Sequence, residues 1–164
     1  MFEQNSSISL STLDDYSSLA SQLKYLTQDE PNLIANLANI SAVLFDALSD
    51  VNWVGFYLKE KDQNELVLGP FQGKVACVRI PWGKGVCGTA AAKNETQHID
   101  DVHAFPGHIA CDSASESEVV IPIMVEGQVV AVLDIDSPKL SRFSDVDVQG
   151  LELLKPILEN LVWR

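Results

Sequence analysis

The N-terminal third of the chain carries apolar residues at helical spacing. Residues 11–27 place an apolar side chain at every third or fourth position, which predicts an amphipathic helix. The same spacing returns from Leu33 to Leu48, and Pro31 is suited to the first turn of that second helix. We therefore predict two amphipathic helices joined by a short turn.

A period of two replaces the helical spacing in the middle of the chain. Residues 52–58 place Val54 and Phe56 on one face and Trp53 and Tyr57 on the other, as in a β-strand. Further strands are predicted at 65–68, 74–80, 96–99, 118–125 and 128–135, with breaks at Gly69-Pro70 and Gly73 and a hairpin turn at Glu126-Gly127.

The remaining segments predict a short helix at 85–93, a long loop at 100–115 and a closing helix. Ser144 and Asp147 have the spacing of a capping box, and Pro156 is predicted to bend the helix that follows. This order predicts an α+β fold with a mainly antiparallel central sheet. The N-terminal helices and the C-terminal helix are expected on one face and a ligand pocket on the other. We expect residues 1–164 to form one domain, with a flexible lead over residues 1–10.

Composition is that of an ordinary globular domain of 164 residues, with 46% hydrophobic and 21% charged residues. The N-terminus lacks the regions of a signal peptide, and no apolar run approaches the roughly 18 residues of a membrane span. We therefore expect a cytoplasmic protein whose thiols are kept reduced. The net charge of −12 and the lack of a basic patch argue against nucleic acid as a partner.

Three acidic residues fall on the strand faces that the helices are not expected to cover. Asp134 and Asp136 share one face of their strand, and Glu118 takes the corresponding side of the partner strand. On the pattern alone, this face either meets water or lines a pocket. If Trp53 and Tyr57 share the same face, the acids and aromatic rings form a cup suited to a small zwitterion.

The segment Gly83–Gly88 satisfies the G-x-G-x-x-G pattern but lacks the βαβ unit of a dinucleotide site. A tight turn into the short helix is the better interpretation. Cys87 would then lie in the first helical turn, where the macrodipole lowers the pKa of a thiol. The alternative is a small residue packed beside Ala90 and Ala91.

The chain has three cysteines, Cys77, Cys87 and Cys111, which could be buried apolar residues, metal ligands or redox thiols. Cys111 lies in a polar, glycine-containing loop that a small substrate could reach. Another thiol could then resolve an oxidised Cys111 as a disulfide. Spacing leaves Cys87 and Cys111 as competing nucleophiles.

A metal site is the other chemistry that this region could support. His98, His103, His108 and Cys111 follow the spacing H-x4-H-x4-H-x2-C. This spacing matches no ordinary structural zinc signature, and it crosses a loop. We therefore expect no metal.

Seven motifs point to one enzyme family: NWVGFYL at 52–58, LGPFQGK at 68–74, ACVRIP at 76–81, GVCGT at 85–89, DVHAF at 101–105, GHIACD at 107–112 and VLDIDS at 132–137. They closely resemble the free methionine-(R)-sulfoxide reductases, which are single-domain GAF-type proteins. The resemblance runs from about Leu10 to the C-terminus without a departure at a motif position. The GAF-like fold that it implies agrees with the α+β order.

The resemblance implies a mechanism for reducing free L-methionine-(R)-sulfoxide to L-methionine. Cys111 matches the catalytic cysteine, which attacks the sulfoxide sulfur and becomes a sulfenic acid. Cys77 matches the resolving cysteine, which closes a disulfide that a thioredoxin/NADPH system reopens, and Cys87 matches an auxiliary cysteine. No bound cofactor is implied, and the tendency of the family to dimerise suggests a homodimer.

The resemblance also assigns the pocket. Trp53 and Tyr57 match its wall, and Glu118, Asp134 and Asp136 match the acids around the sulfoxide oxygen and the substrate amine. Because a sulfoxide oxygen leaves only when protonated, at least one acid must be held neutral. The alternative function is a small-molecule-binding GAF sensor without catalysis, which would give the three thiols no role.

Overall fold

The computed structural model describes residues 10–163. The helices of this region are α1 (Leu13–Thr27), α2 (Leu33–Ala47), α3 (Gly85–Lys93), α4 (Asp145–Glu152) and α5 (Lys155–Glu159), with a 3-10 turn at Val102–Ala104. The strands are β1 (Trp53–Lys59), β2 (Glu65–Gly73), β3 (Arg79–Pro81), β4 (Gln97–Ile99), β5 (Ser117–Val125) and β6 (Gln128–Ser137). Apart from Leu10, the predicted flexible lead lies outside the described residues.

The six strands form one sheet in the order β3-β2-β1-β6-β5-β4, with every neighbouring pair antiparallel. The central hairpin turns at Glu126 and Gly127, whose φ angles are both positive, at 52° and 78°. Two consecutive residues with positive φ form a type I′ turn, whose backbone twist matches that of the flanking strands. The α+β fold, the antiparallel sheet and the hairpin are confirmed.

The two faces of the sheet carry different helices. The N-terminal and C-terminal helices cover one face, where Val54, Phe56, Leu133 and Ile135 meet them in the main core. The opposite face packs against α3 and carries a second cluster that includes Trp53 and Tyr57. The predicted division between a helix-covered face and a second face is therefore confirmed. No helix of the described chain is both long and apolar enough to cross a membrane.

Two strand predictions are wrong in the same region. Gly69-Pro70 does not break β2, which continues to Gly73, and residues 74–78 form a loop instead of a strand. The register between β1 and β2 shifts at this point, which indicates a bulge. A bulge accommodates the missing N–H of Pro70 without ending the strand.

The helix ends differ from prediction at both prolines. Pro31 precedes α2, because Asn32 is the N-cap and its side chain accepts a hydrogen bond from Ala35 N. The predicted bent C-terminal helix is instead two helices, with Pro156 in the first turn of the second. A proline is compatible with a first turn because its missing N–H would be unpaired there anyway.

Candidate active site

A pocket lies between the second face of the sheet, α3, and the loops at 74–78 and 105–116. Strand register determines which side chains form its floor. Trp53 is opposite Asp136, Gly55 is opposite Asp134, and Asp136 is also opposite Glu118. All five predicted acids and aromatic residues line this pocket: Glu118, Asp134, Asp136, Trp53 and Tyr57. Because Glu118 and Asp134 are each only 5% exposed, the alternative of a face open to water is excluded.

The aromatic wall is a stack of rings. Trp53 stacks on Tyr57 with 5.8 Å between ring centroids, and on Phe71 with 5.1 Å. Gly55 lies between the first two in sequence, and a Cβ there would collide with Phe71 and come within 2.8 Å of Trp53 Cη2. The absence of a side chain at Gly55 therefore makes room for the indole to lie over the strand.

The same two aromatic residues hold the loop that carries Cys77. Trp53 Nε1 donates to Lys74 O at 3.1 Å, and Tyr57 Oη donates to Cys77 O at 2.9 Å. Cys77 forms a disulfide with Cys111, with 5.4 Å between their Cα atoms. The pocket wall thus fixes the position of one cysteine, and the disulfide ties the loop of the other cysteine to it.

The three carboxyl groups perturb one another's ionisation. Burial raises the pKa of Glu118 well above its usual range, and the charges of Asp134 and Asp136 raise it further. Burial also raises the pKa of Asp136 well above its usual range, and the neighbouring charge of Asp134 adds to it. For Asp134, hydrogen bonds from Glu118 and Cys87 oppose the rise that burial causes. Asp134 is therefore the acid best able to remain ionised, while the raised pKa values of Glu118 and Asp136 favour their protonated forms.

Asp134 also has an unused hydrogen-bonding atom. Its buried Oδ1 has no hydrogen-bond partner in the described chain. A buried carboxylate oxygen without a partner is costly, so such an atom at a pocket marks a place for a ligand donor. An ammonium group is the natural donor for this position.

The helix-dipole expectation for Cys87 is wrong. Cys87 is the free cysteine of the described chain, and it lies buried in α3 with its sulfur 4.0 Å from Glu118 Oε1. Burial raises the pKa of the thiol well above its usual range, and the negative charge of Asp134 raises it further. Desolvation outweighs the macrodipole here, so Cys87 favours the thiol over the nucleophilic thiolate.

The structure does not bring the three histidines and Cys111 to one point. His98 Nε2 lies 2.6 Å from Phe143 O, and His103 Nε2 lies 3.2 Å from Glu116 Oε2. His108 lines the pocket, with its Nε2 4.0 Å from Glu118 Oε2. The four side chains therefore do not form the ligand set that their spacing raised as an alternative.

Sequence reasoning missed a polar support beneath the Cys111 loop. Asn52 Nδ2 donates to Asp112 Oδ2 and Ser115 Oγ, each at 3.2 Å. Asn52 immediately precedes β1, so this contact links the start of the strand to the loop. The only sequence signal was the position of Asn52 at the head of the NWVGFYL motif. A contact between residues 60 positions apart has no periodic signature.

Comparisons with known proteins agree with this architecture. Residues 29–156 match the sequence profile of the GAF domain. The chain is 55% identical to the free methionine-R-sulfoxide reductase of Escherichia coli, over 90% of this chain and 88% of that protein. It is 45% identical to the free methionine-R-sulfoxide reductase of Saccharomyces cerevisiae, over 82% and 78% of the two chains.

A solved structure extends the likeness to three dimensions. The free methionine-R-sulfoxide reductase of Neisseria meningitidis in complex with its substrate superposes with a TM-score of 0.88. The two chains are 46% identical, and the match covers 92% of this chain and 89% of that one.

Proposed function

The chain belongs to the GAF-domain family of free methionine-R-sulfoxide reductases, and we propose that it reduces free L-methionine-(R)-sulfoxide to L-methionine. The observation that carries this proposal is the Cys77–Cys111 disulfide beside a pocket whose floor holds three carboxyl groups. A disulfide is the product expected when one thiol has taken up oxygen and a second has displaced it. A ligand-binding sensor would need neither the disulfide nor a store of protons in its pocket.

The reaction begins at Cys111, whose side chain lines the pocket. Its thiolate attacks the sulfoxide sulfur, the oxygen passes to the cysteine, and methionine leaves with a restored thioether. Cys111 is then a sulfenic acid. The thiolate of Cys77 attacks the Cys111 sulfur and expels the oxygen as water once protons are supplied, which forms the disulfide. The two electrons that reduce the sulfoxide thus come from the two thiols.

The acids supply the protons and hold the substrate. The raised pKa of Glu118 and of Asp136 favours the protonated form of each, so either can protonate the sulfoxide oxygen as negative charge develops. Asp134 accepts the substrate ammonium through its unpaired Oδ1. Trp53 and Tyr57 pack against the apolar end of the substrate. The demand for a free ammonium restricts the substrate to the free amino acid.

The disulfide must be reopened after each cycle by an external donor. We propose a cytoplasmic thioredoxin with its NADPH-dependent reductase for this role, and a homodimer as the assembled enzyme. Cys87 cannot easily serve as the donor, since it is a single buried thiol.

The test of the nucleophile is an assay of methionine release from free L-methionine-(R)-sulfoxide with a thioredoxin system. We expect Cys111→Ser to lower turnover by about 10³-fold or more, because a hydroxyl is not an effective nucleophile toward sulfur. The (S)-sulfoxide and a peptide containing methionine sulfoxide are the substrate controls. Normal turnover by the mutant would remove Cys111 from its role, and inactive wild type would favour the sensor.

The resolving role of Cys77 calls for a different measurement. In Cys77→Ser the sulfenic acid still forms, so we expect one equivalent of methionine per chain in a single round. Thioredoxin-dependent cycling should fall about tenfold or more, because no disulfide is available for exchange. The control is dithiothreitol, which reduces a sulfenic acid directly. Unchanged cycling with thioredoxin would show that Cys77 is dispensable.

A further inference from the structure

The loop at residues 74–78 exposes apolar side chains on both sides of Cys77. Val75 is 89% exposed, the largest value for a large hydrophobic residue in the described chain, and Val78 is 61% exposed. Exposed apolar side chains that cluster beside a reactive group commonly mark a contact surface. Two such residues within one position or two of a redox-active cysteine form a small apolar surface around it.

The disulfide has an inner end and an outer end. Cys111 lines the pocket, whereas Cys77 does not. Disulfide exchange requires the attacking sulfur to approach in line with the bond that breaks. An in-line approach to Cys77 Sγ therefore comes from the side opposite Cys111, which is the cysteine that lines the pocket. Cys111 lies within the loop at 105–116, whose residues His108 and Ile109 also line the pocket.

We propose that the segment Lys74–Val78, here called the docking loop, is the surface on which a dithiol reductase protein docks, and that its cysteine attacks Cys77 and not Cys111. The proposal rests on the proposed function, which requires the disulfide to be reopened. It adds the contact surface, the sulfur that is attacked, and the direction in which the bond opens.

The step balances within the two proteins. The thiolate of the partner bonds to Cys77 Sγ, the Sγ–Sγ bond breaks, and Cys111 leaves as a thiolate. The second thiol of the partner, as its thiolate, then attacks the mixed disulfide and releases Cys77, so two electrons pass to this chain and the partner becomes a disulfide. Attack on Cys77 delivers the Cys111 thiolate directly to the pocket, where the next substrate binds.

The backbone of the docking loop is already held in place. Its two carbonyl contacts to Trp53 and Tyr57 fix Lys74 and Cys77, and Leu68 N donates to Val78 O at 2.9 Å. A fixed loop loses little conformational entropy when a partner binds. The backbone of the docking loop is therefore held at Lys74, Cys77 and Val78 before a partner binds.

Charge favours a partner surface with an acidic edge. Lys74 makes no ion pair in the described chain, while the nearby Arg79 is paired with Glu60 and Glu65. In a chain of net charge −12, the free ammonium of Lys74 gives this loop a local positive charge. The matching partner is a dithiol protein with apolar side chains around its reactive cysteine and a carboxylate at the rim.

The kinetic test measures thiol release from the oxidised wild-type chain and its variants by Escherichia coli thioredoxin, without any sulfoxide present. We expect Val78→Asp and Lys74→Glu each to lower kcat/KM for thioredoxin about threefold to tenfold, the usual cost of an interface contact. Their rates with dithiothreitol should stay unchanged. The matched controls are Val162→Asp, at a valine that is 48% exposed, and Lys24→Glu, both beside a groove between the terminal helices. Equal losses in variants and controls would overturn the docking surface.

The sulfur that is attacked is identified by trapping. A thioredoxin whose second active-site cysteine is replaced by serine stops at the mixed disulfide, and peptide mass mapping then locates the linked cysteine. We expect Cys77, and a predominant adduct at Cys111 would overturn the direction of attack. Failure of the proposed function would instead appear as absent methionine release by the fully reduced chain in a single round. Since the two assays share no substrate, the two failures are distinguishable.

Discussion

At Glu118, burial and the charges of neighbouring residues both oppose ionisation. It is 5% exposed, and it lies opposite Asp136 in the sheet, with Asp134 two residues further along β6 on the same face. An ionised carboxylate there would be both desolvated and repelled. Folding therefore raises its pKa, and the native state binds a proton that the unfolded chain releases above its ordinary pKa of 4.5. The contribution of this proton to the free energy of unfolding is therefore full below pH 4.5. It is lost as pH rises through the higher pKa of the native state.

We expect Glu118→Gln to be increasingly more stable than wild type as pH rises from 5 to 8. The amide resembles the protonated acid but cannot ionise. The native variant therefore does not have to keep a carboxyl group protonated at a pH at which the unfolded chain would release the proton. The gain at pH 8 should be about 1–3 kcal/mol, the scale of an uncompensated buried polar group. Turnover should fall about 10²–10⁴-fold, because the amide is no proton donor.

The measurement is denaturant unfolding of both chains at several pH values, in the same redox state. Glu152→Gln on the exposed side of α4 is the control, and its effect should stay within about 0.5 kcal/mol. A stability gap for Glu118→Gln that does not change with pH would contradict the argument.

Residue-level prediction succeeded where alternation determines the outcome. Period two is enough to place Trp53 and Tyr57 on one face of β1 and Asp134 and Asp136 on one face of β6, but only the register between the strands shows that the two faces are the same. It is not enough for Cys87, whose ionisation depends on how deeply α3 packs over the acids. Burial depth comes from tertiary packing, which no local pattern encodes.

At the scale of elements, one carboxylate connects α1 to the start of α4. Asp147 Oδ1 accepts from Tyr16 Oη at 2.6 Å, and Oδ2 accepts from Ser144 N at 2.9 Å and Arg142 Nη1 at 3.1 Å. Burial alone would raise the pKa of Asp147, but these bonds outweigh it, so the pKa is lowered from 3.8. The Asp147 carboxylate therefore adds to the free energy of unfolding above pH 3.8. This contribution is lost as pH falls through the lower pKa of the native state.

We expect Asp147→Ala to lower the free energy of unfolding by about 2–4 kcal/mol at pH 7, because it removes the Asp147 half of the capping box of α4 and leaves buried donors unpaired. Tyr16→Phe should cost only about 1–2 kcal/mol, since it removes one bond of the set. Denaturant unfolding measures both. Methionine release per folded chain should be unchanged, because this network lies on the face away from the pocket. A loss of activity without a loss of stability would contradict this assignment.

The capping box around Ser144 was predictable because it is a local motif, and the structure confirms it. The continuation of β2 through Pro70 was not predictable in the same way. A proline normally argues against a strand interior, and only the register shift against β1 shows how the sheet tolerates it. Local signals therefore located the elements but misplaced the boundaries that depend on pairing.

At the scale of the whole molecule, the sheet separates stability from chemistry. Its helix-covered face holds the main core, while the other face holds the acids and the loops that carry the disulfide. The two cysteines are 34 positions apart, and both lie in loops. Reduction therefore removes the covalent link between the docking loop and the loop at 105–116, and neither cysteine belongs to the main core.

We expect the oxidised chain to unfold at a higher temperature than the reduced chain. Closing a loop of this length removes entropy from the unfolded state worth about 3–4 kcal/mol. For a chain of this size, that difference raises Tm by about 6–12 °C. Calorimetry with and without a phosphine reductant measures it, with Cys77→Ser as the control whose Tm should not respond. An equal change of Tm in Cys77→Ser would assign the effect to Cys87. An unchanged Tm in the wild type would mean that the unfolded chain gains no conformational freedom on reduction. Since the proposed catalytic cycle makes and breaks this bond, the enzyme would alternate between a more and a less stable form with the same core.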